Sequence, residues 1–417
     1  MELHDVGFGE CTVLGGKKQE ILMVDCGSLN RRLGSGALFS EYAASMTERY
    51  GDASERSFLL THFHKDHYGG LPAILRSSPH FFDRIYLPCC PRDENGVPLF
   101  MELTVLIDAF VTGPGVETVK MNGAALRFFR KICDLGGTEQ VFTLEAGDEL
   151  LFDGESYRIL WPPKEEYPFS QNLRELVDEA DRILFRSTDS YAGAFLELKQ
   201  SLCETYKNCM DAFAYCTEAE EKERAFAVRE LRRLTKELNA LLPRLHVLSA
   251  GQKVRELLCD RRTVMEVSDE INGSSMILSS GRILLTGDAT PETLERIRGE
   301  LREDYEIVKA PHHGTESAWW KGFSSMGISH LLISNGVAPA GGKIAPEYAA
   351  LNAMHHCTGG DHCACSEATG ECCNRTLYCP LSTPKDAMPT QCRRNDCKIF
   401  LTGTGSYHPC NCSKKSE

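Results

Sequence analysis

Thr61-His62-Phe63-His64-Lys65-Asp66-His67 follows directly on the apolar run Ser57-Phe58-Leu59-Leu60, and its reading decides the rest of the chain. His62 and His64 are two residues apart, so on an extended exit from a strand their imidazoles point the same way. Asp66 and His67 then fall on the turn into the next helix. That arrangement suits two adjacent divalent ions, one held by each pair. With 13 His among 417 residues, chance yields this HxHxDH pattern in fewer than roughly 0.001 chains of this length. A solvated polar loop, the competing explanation, needs that coincidence.

Two further segments end apolar runs in potential ligands. Leu284-Leu285-Thr286-Gly287-Asp288 delivers an aspartate, and Ile307-Val308-Lys309-Ala310-Pro311-His312-His313-Gly314 delivers two histidines and a glycine. Alone, each is unremarkable: an Asp there is usually a cap or turn residue, and a His pair is usually a satisfied polar pair. Beside the HxHxDH loop they supply the remaining ligand sets of a dinuclear centre. Asn272 and Ser275, just upstream of Asp288, are candidates to line the substrate side. Asp25, Gly27 and Lys309 read as structural rather than catalytic.

Together, His62, His64, Asp66, His67, Asp288 and the His312-His313 pair resemble the motifs of metallo-β-lactamase-fold hydrolases. The closer likeness is to the hydrolase domain of ComEC-type DNA-uptake proteins. Asp5-Val6-Gly7-Phe8-Gly9-Glu10 is similar to that group's DVGQGD start, and Leu22-Met23-Val24-Asp25-Cys26-Gly27 to its first buried strand and turn. Ile159-Leu160-Trp161-Pro162-Pro163 resembles its LWPP segment, and Asn272-Gly273-Ser274-Ser275-Met276-Ile277-Leu278 the Asn/Ser-containing strand before its metal-ligating Asp. The likeness covers residues 1–162 and 268–337.

The resemblance implies a four-layer αββα metallo-β-lactamase sandwich, in the α/β class. It implies that His62 and His64 bind a first metal, that Asp66, His67 and one of His312/His313 bind a second, and that Asp288 bridges. His313 is favoured as the ligand and His312 as a neighbour able to contact substrate phosphate. No histidine between His67 and Asp288 has flanks suited to the usual further ligand, since His80 and His246 follow no strand-like run. The first metal is therefore expected to be weakly held. Two metals roughly 3.5–4 Å apart would share a bridging hydroxide and clamp an in-line displacement. Nitrogen and carboxylate donors suit zinc and manganese alike. Asp66 and His312 are the expected catalytic residues, Asp66 orienting the nucleophile and His312 stabilising the phosphorus centre or protonating the leaving group.

Outside the likeness lie two other segments. Beyond Pro162-Pro163 strand signals vanish for about ninety residues, and a helix is expected over 217–242, with Val228, Leu231, Leu234, Leu238 and Leu241 on one face. This reads as a helical insertion, either a substrate cap or dimerisation element or a plain amphipathic bundle. The expected organisation is hydrolase first half 1–163, insertion 164–262, hydrolase second half 263–350, and tail 351–417. Helices are also expected over 124–135 and from Thr290-Pro291, with Thr290 as N-cap, through about Leu301. Residues 91–122 read as irregular.

The tail holds ten of the 19 cysteines, within 56 residues. No secretion signal precedes them, so they read as metal ligands before disulfides. Cys357, His362, Cys363, Cys365, Cys372, Cys373, Cys379, Cys392, Cys397, Cys410 and Cys412 are the candidates for structural zinc, four ligands to a site. A redox tail is the alternative.

Net charge is −13 at neutral pH, which argues against gripping nucleic acid by bulk positive charge. No apolar run approaches the ~18 residues of a membrane span. The expectation is a cytoplasmic, metal-dependent phosphodiesterase, in the first reading a nuclease, acting on nucleic acid or another phosphodiester. A protein partner would dock on the insertion or tail, and a homodimer is one option. Hydrolysis of small esters, lactones or thioesters is the rival activity. A regulatory metal-binding interaction protein is the rival from another class.

Overall fold

A computed structural model describes residues 1–15, 19–33, 36–111, 124–215, 221–335 and 344–358, with short strands at Cys397–Lys398, Phe400–Leu401 and Tyr407–His408. The chain is mixed α/β and divides into two compact units. The first comprises Met1–Tyr86, Glu149–Trp161 and Asn272–Glu417; the second comprises Leu87–Asp148 and Pro162–Ile271. No described helix is long and apolar enough to cross a membrane.

The first unit is built on two sheets. In one, β1 (Glu2–Leu3), β2 (Thr12–Gly15), β3 (Ile21–Val24), β4 (Arg56–Leu59) and β5 (Arg84–Pro88) lie side by side in chain order. Pairing is antiparallel from β1 to β3 and parallel from β3 to β5. Cys397–Lys398 adds an antiparallel strand outside β1. A further strand, β6 (Val141–Leu144), belongs to the second unit.

The other sheet runs β7 (Glu149–Phe152), β8 (Glu155–Trp161), β9 (Ile277–Ser279), β10 (Ile283–Leu285), β11 (Asp304–Lys309), β12 (Gly327–Ile333) and β13 (Met354–Cys357), again in chain order. It is antiparallel up to β10 and parallel from β10 to β13. Strands β3, β9 and β10 are buried at every residue. In β3 and β10, each with a parallel neighbour on one side, the run is wholly apolar, as strands covered on both faces require, while β9 closes on the buried polar Ser279. Met23, Phe58, Leu59, Leu278, Leu284, Ile307, Val308, Leu331 and Leu332 form the core of this unit.

The parallel strands fix the location of the chemistry. Asp25 follows β3, Thr61 to His67 follow β4, Asp288 follows β10, and His312-His313 follow β11. Ligand sites in open α/β sheets form beyond the carboxyl ends of parallel strands, where the connecting loops converge.

The second unit is mainly helical, with helices at Leu99–Phe110, Ala124–Gly136, Gln171–Phe185, Ser190–Ala212, Glu221–Leu245 and Ser249–Cys259. Ser170 caps one by accepting from the Leu173 N–H at 3.3 Å, and Asp189 caps the next by accepting from Tyr191 at 2.8 Å. The helix Leu99–Phe110 lies where the sequence reads as irregular. Ten of its twelve residues are buried, so it has no polar face to give it a 3.6-residue period. The expected helix over 217–242 forms as Glu221–Leu245, residues 217–220 lying outside the described set. Thr290 caps the helix Pro291–Arg296 by accepting from Thr293 N–H at 3.3 Å. That helix ends before Leu301, in a 3-10 turn at Arg298–Glu300.

Candidate metal centre

The loop after β4 is held in place before any ligand is considered. Thr61 N–H and Oγ1–H donate to the Asp25 carboxylate at 2.8 and 2.7 Å, and Met276 N–H donates to the Thr61 carbonyl at 2.8 Å. Glu10 N–H donates to the Asp66 carbonyl, and Gly27 N–H to the Glu10 carbonyl, each at 2.9 Å. Gly27 is required there: a Cβ would stand 2.2 Å from the Asp66 carbonyl carbon. Glu10 is anchored by Lys309, Nζ to carboxylate 2.7 Å, with both side chains 4% exposed. Breaking so buried a pair costs about 3–5 kcal/mol, which accounts for Lys309 and Glu10 structurally.

Within this frame two sets of donor atoms converge. His62, His67 and Asp288 form one, Asp66, His67 and His313 the other, each with its atoms within 4.8 Å of one another. Asp288 lies between them. Its Oδ1 is 3.3 Å from His67 Nε2, and its Oδ2 is 3.9 Å from both His62 Nε2 and His313 Nε2. Asp66 Oδ2 is 3.3 Å from His313 Nε2. His67 Nε2 and Asp288 Oδ1 are buried and make no hydrogen bond. Facing each other at 3.3 Å, these buried atoms are satisfied either as an ion pair, with a proton on His67 Nε2, or by a cation that takes that proton's place.

The imidazoles are aimed by their other nitrogens, the arrangement that fixes tautomer and direction in metal-ligating histidines. His67 Nδ1 sits 2.7 Å from Asp25 Oδ2, and His313 Nδ1 sits 2.8 Å from the Ser334 carbonyl, to which it donates. His62 Nδ1 lies 3.1 Å from both Thr61 Oγ1 and Ser275 Oγ. The Thr61 hydroxyl proton is committed to Asp25, so Thr61 is an acceptor for His62. Ser275 Oγ also accepts from Asp288 N–H at 3.0 Å. Ser275 has no exposed surface and Asn272 is 2% exposed, so Ser275 lies behind the ligands it holds.

The other expected ligands are placed differently. His64 belongs to neither convergent set, and its Nδ1 lies 2.9 Å from His62 Nε2. His312 Nε2 is 4.0 Å from Asp288 Oδ2, and with 29% exposure it is the histidine of its pair open to solvent. His313 is fully buried. Both take positive φ, 45° and 58°, followed by Gly314 at 73°. For non-glycine residues this costs on the order of 1 kcal/mol each and persists where surroundings enforce it. Of the tail candidates, Cys357 is described and buried and Cys397 falls in its short strand. His362, Cys363, Cys365, Cys372, Cys373, Cys379, Cys392, Cys410 and Cys412 lie outside the described residues.

No family model and no curated protein matches this chain. Burial, helped by repulsion from His67 and His64, holds His62 far below the ordinary imidazole range. Burial likewise pushes His64 down to about 4 and lowers His312. For His67 burial acts in the same sense, but Asp288 and Asp25 outweigh it and raise it well above the ordinary value. His313 is raised by Asp288 and Asp66 against burial. Burial favours neutral carboxyls at Asp66 and Asp288. Asp66 is nevertheless held low by its His313 hydrogen bond and the neighbouring imidazoles, and Asp288 by the charges of His67, His313 and His312. Both carboxylates are thus ionised donors at neutral pH and His67 carries a proton that a cation would displace, while Asp288 and Asp66 draw His313 in the same direction.

Asp25, Thr61, Ser334 and the Glu10–Lys309 pair are parts of the site that the motif does not contain. Asp25 and Lys309 could be found as polar residues closing apolar strands, although that position gives no role. For Ser334 the sequence carries no signal.

Proposed function

We propose that this chain is a metal-dependent hydrolase of phosphodiesters, built as a metallo-β-lactamase-type αββα sandwich. The observation that carries the reading is the convergence of His62, His67, Asp288, Asp66 and His313 around buried, unbonded donor atoms. The donor set of imidazole nitrogens and carboxylate oxygens fits zinc or manganese. His62, His67 and Asp288 would hold one ion, and Asp66 with His313 another, His67 being available to either. Bound there, divalent ions supply Lewis-acid polarisation of a phosphoryl oxygen and lower the pKa of water.

The protein's own groups do the rest. Asp66 and Asp288 keep the site anionic and accept protons poorly, so they remain ligands rather than bases. Asp25, Thr61, Ser275 and the Ser334 carbonyl lock three rings in one orientation, so that little reorganisation remains to be done in the transition state. His312 is held neutral and partly exposed. We assign to it the contact with substrate and the proton handed to, or taken from, an oxygen at the mouth of the site.

The test is a panel: metal-reconstituted protein against single- and double-stranded DNA, RNA, bis-p-nitrophenyl phosphate and a lactone. Phosphodiester cleavage lost in Asp288→Ala supports the reading. Lactone turnover without phosphodiester cleavage replaces it with the small-ester alternative.

A further inference from the structure

We propose that Asn335 is a positioning residue for His313 and that Thr358 seats it in that role, an inference that rests on the metal-site reading above. Successive positive φ angles at His312, His313 and Gly314 form a run that two histidines do not adopt by local preference. The end of β12 supplies the restraint. Asn335 Nδ2 donates to the His313 carbonyl at 3.0 Å, while the preceding Ser334 carbonyl receives the His313 ring at 2.8 Å. One dipeptide thus fixes both the backbone and the ring of this histidine.

The dipeptide is itself bracketed. Asn335 N–H donates to Thr358 Oγ1 at 3.0 Å, and that hydroxyl donates back to the Asn335 carbonyl at 3.2 Å. Thr358 N–H donates to the Ile333 carbonyl at 3.1 Å, prolonging the parallel pairing of β12 with β13 by one residue. Ser334 Oγ donates to the Gly9 carbonyl at 2.8 Å. Asn335 is fully buried and Thr358 is 1% exposed, so water is poorly placed to replace any of these bonds. The side-chain amide therefore reaches His313 at an angle set by a hydroxyl on the neighbouring strand. Partners that orient a ligand in this way govern affinity through geometry rather than contact.

The consequence is selective. Asn335 bears on His313 and hence on the Asp66–His313 side, whereas His62 is oriented independently by Thr61 and Ser275. Disturbing the bracket should weaken one metal position and spare the other.

The experiment is a cobalt titration of the full chain, followed by calorimetry and by visible d–d absorption, on wild type, Thr358→Val and Thr358→Ser. Valine keeps the shape and removes the hydroxyl; serine keeps the hydroxyl. The expected result is about 10-fold or greater loss of affinity in one binding step of Thr358→Val, with a changed d–d spectrum, and recovery in Thr358→Ser. Should Thr358→Val not fold, Asn335→Ala decides the matter, since it keeps the backbone bonds to Thr358 and loses only the amide. Wild-type affinity and spectrum in whichever of these variants folds, whatever its melting temperature, would overturn the proposal alone. Wild-type protein that binds no cobalt would remove the metal-site reading and this proposal together.

Discussion

Asp25 Oδ2 stands 2.7 Å from His67 Nδ1, with both side chains fully buried. The same carboxylate receives Thr61 N–H and Oγ1–H, so one group at the end of β3 aims His67 and anchors the start of the ligand loop. Replacing Asp25 by Asn keeps the volume and removes the charge that favours His67 Nδ1–H. The expected result is a ~10–100-fold loss of metal affinity in a protein that still folds, measured by competition with a chromophoric chelator. Affinity equal to wild type would mean that Asp25 is only a loop anchor.

Metal uptake should release protons. His67 is raised well above the ordinary imidazole value by Asp288 and Asp25, so in the free protein it holds a proton that a cation must displace, and Asp288 and Asp66 raise His313 in the same direction. Affinity should therefore rise with pH and keep rising above about 6.5, the ordinary value, until these groups deprotonate unaided. Calorimetry in buffers of different ionisation enthalpy counts the protons. Zero release at pH 7 would contradict the protonated state assigned to His67.

What was legible in the sequence follows a physical division. His62, Asp66, His67, Asp288 and His313 stand at ends of apolar runs, and strand ends are where a parallel sheet must present polar groups, so the pattern announces itself. Thr290 and Pro291 were legible for a similar reason, because capping chemistry is local. The helix Leu99–Phe110 was not: buried almost all round, it lacks the polar face that periodicity detects. Asp25 looked structural because its partner lies 42 residues away. The bond from Asn335 to His313 crosses between separate parallel strands, and no local rule ties those positions together. The aiming of a site is set by tertiary contacts, which sequence spacing does not encode.

The adjacent histidines should separate under mutation. His313→Ala removes a buried donor atom facing Asp66 and should lower metal content and rate together. His312→Ala removes a partly exposed ring 4.0 Å from Asp288 and should retain more metal while losing rate by roughly 10²–10⁴-fold. Metal analysis alongside kcat decides it. Full metal in His313→Ala with loss in His312→Ala would reverse the two roles.

A last prediction concerns acid stability away from the loop. His330 on β12 and His356 on β13 face each other, Nδ1 to Nε2, at 3.1 Å. Burial first, and the neighbouring His356 second, hold His330 down at about 4 against an ordinary 6.5. The folded protein thus refuses a proton that the unfolded chain accepts, and stability depends on pH wherever the two differ. This contribution is fully present above about pH 6.5, declines as the pH falls toward about 4, and adds no further slope below that. Urea midpoints should accordingly drop across that window. His330→Gln should start from a lower midpoint at pH 7 and show a shallower decline, because it cannot take up the proton. His62 and His64 are depressed too, but they are present in both proteins, so the difference between the profiles isolates His330. Parallel profiles between pH 7 and 4 would place the acid sensitivity elsewhere.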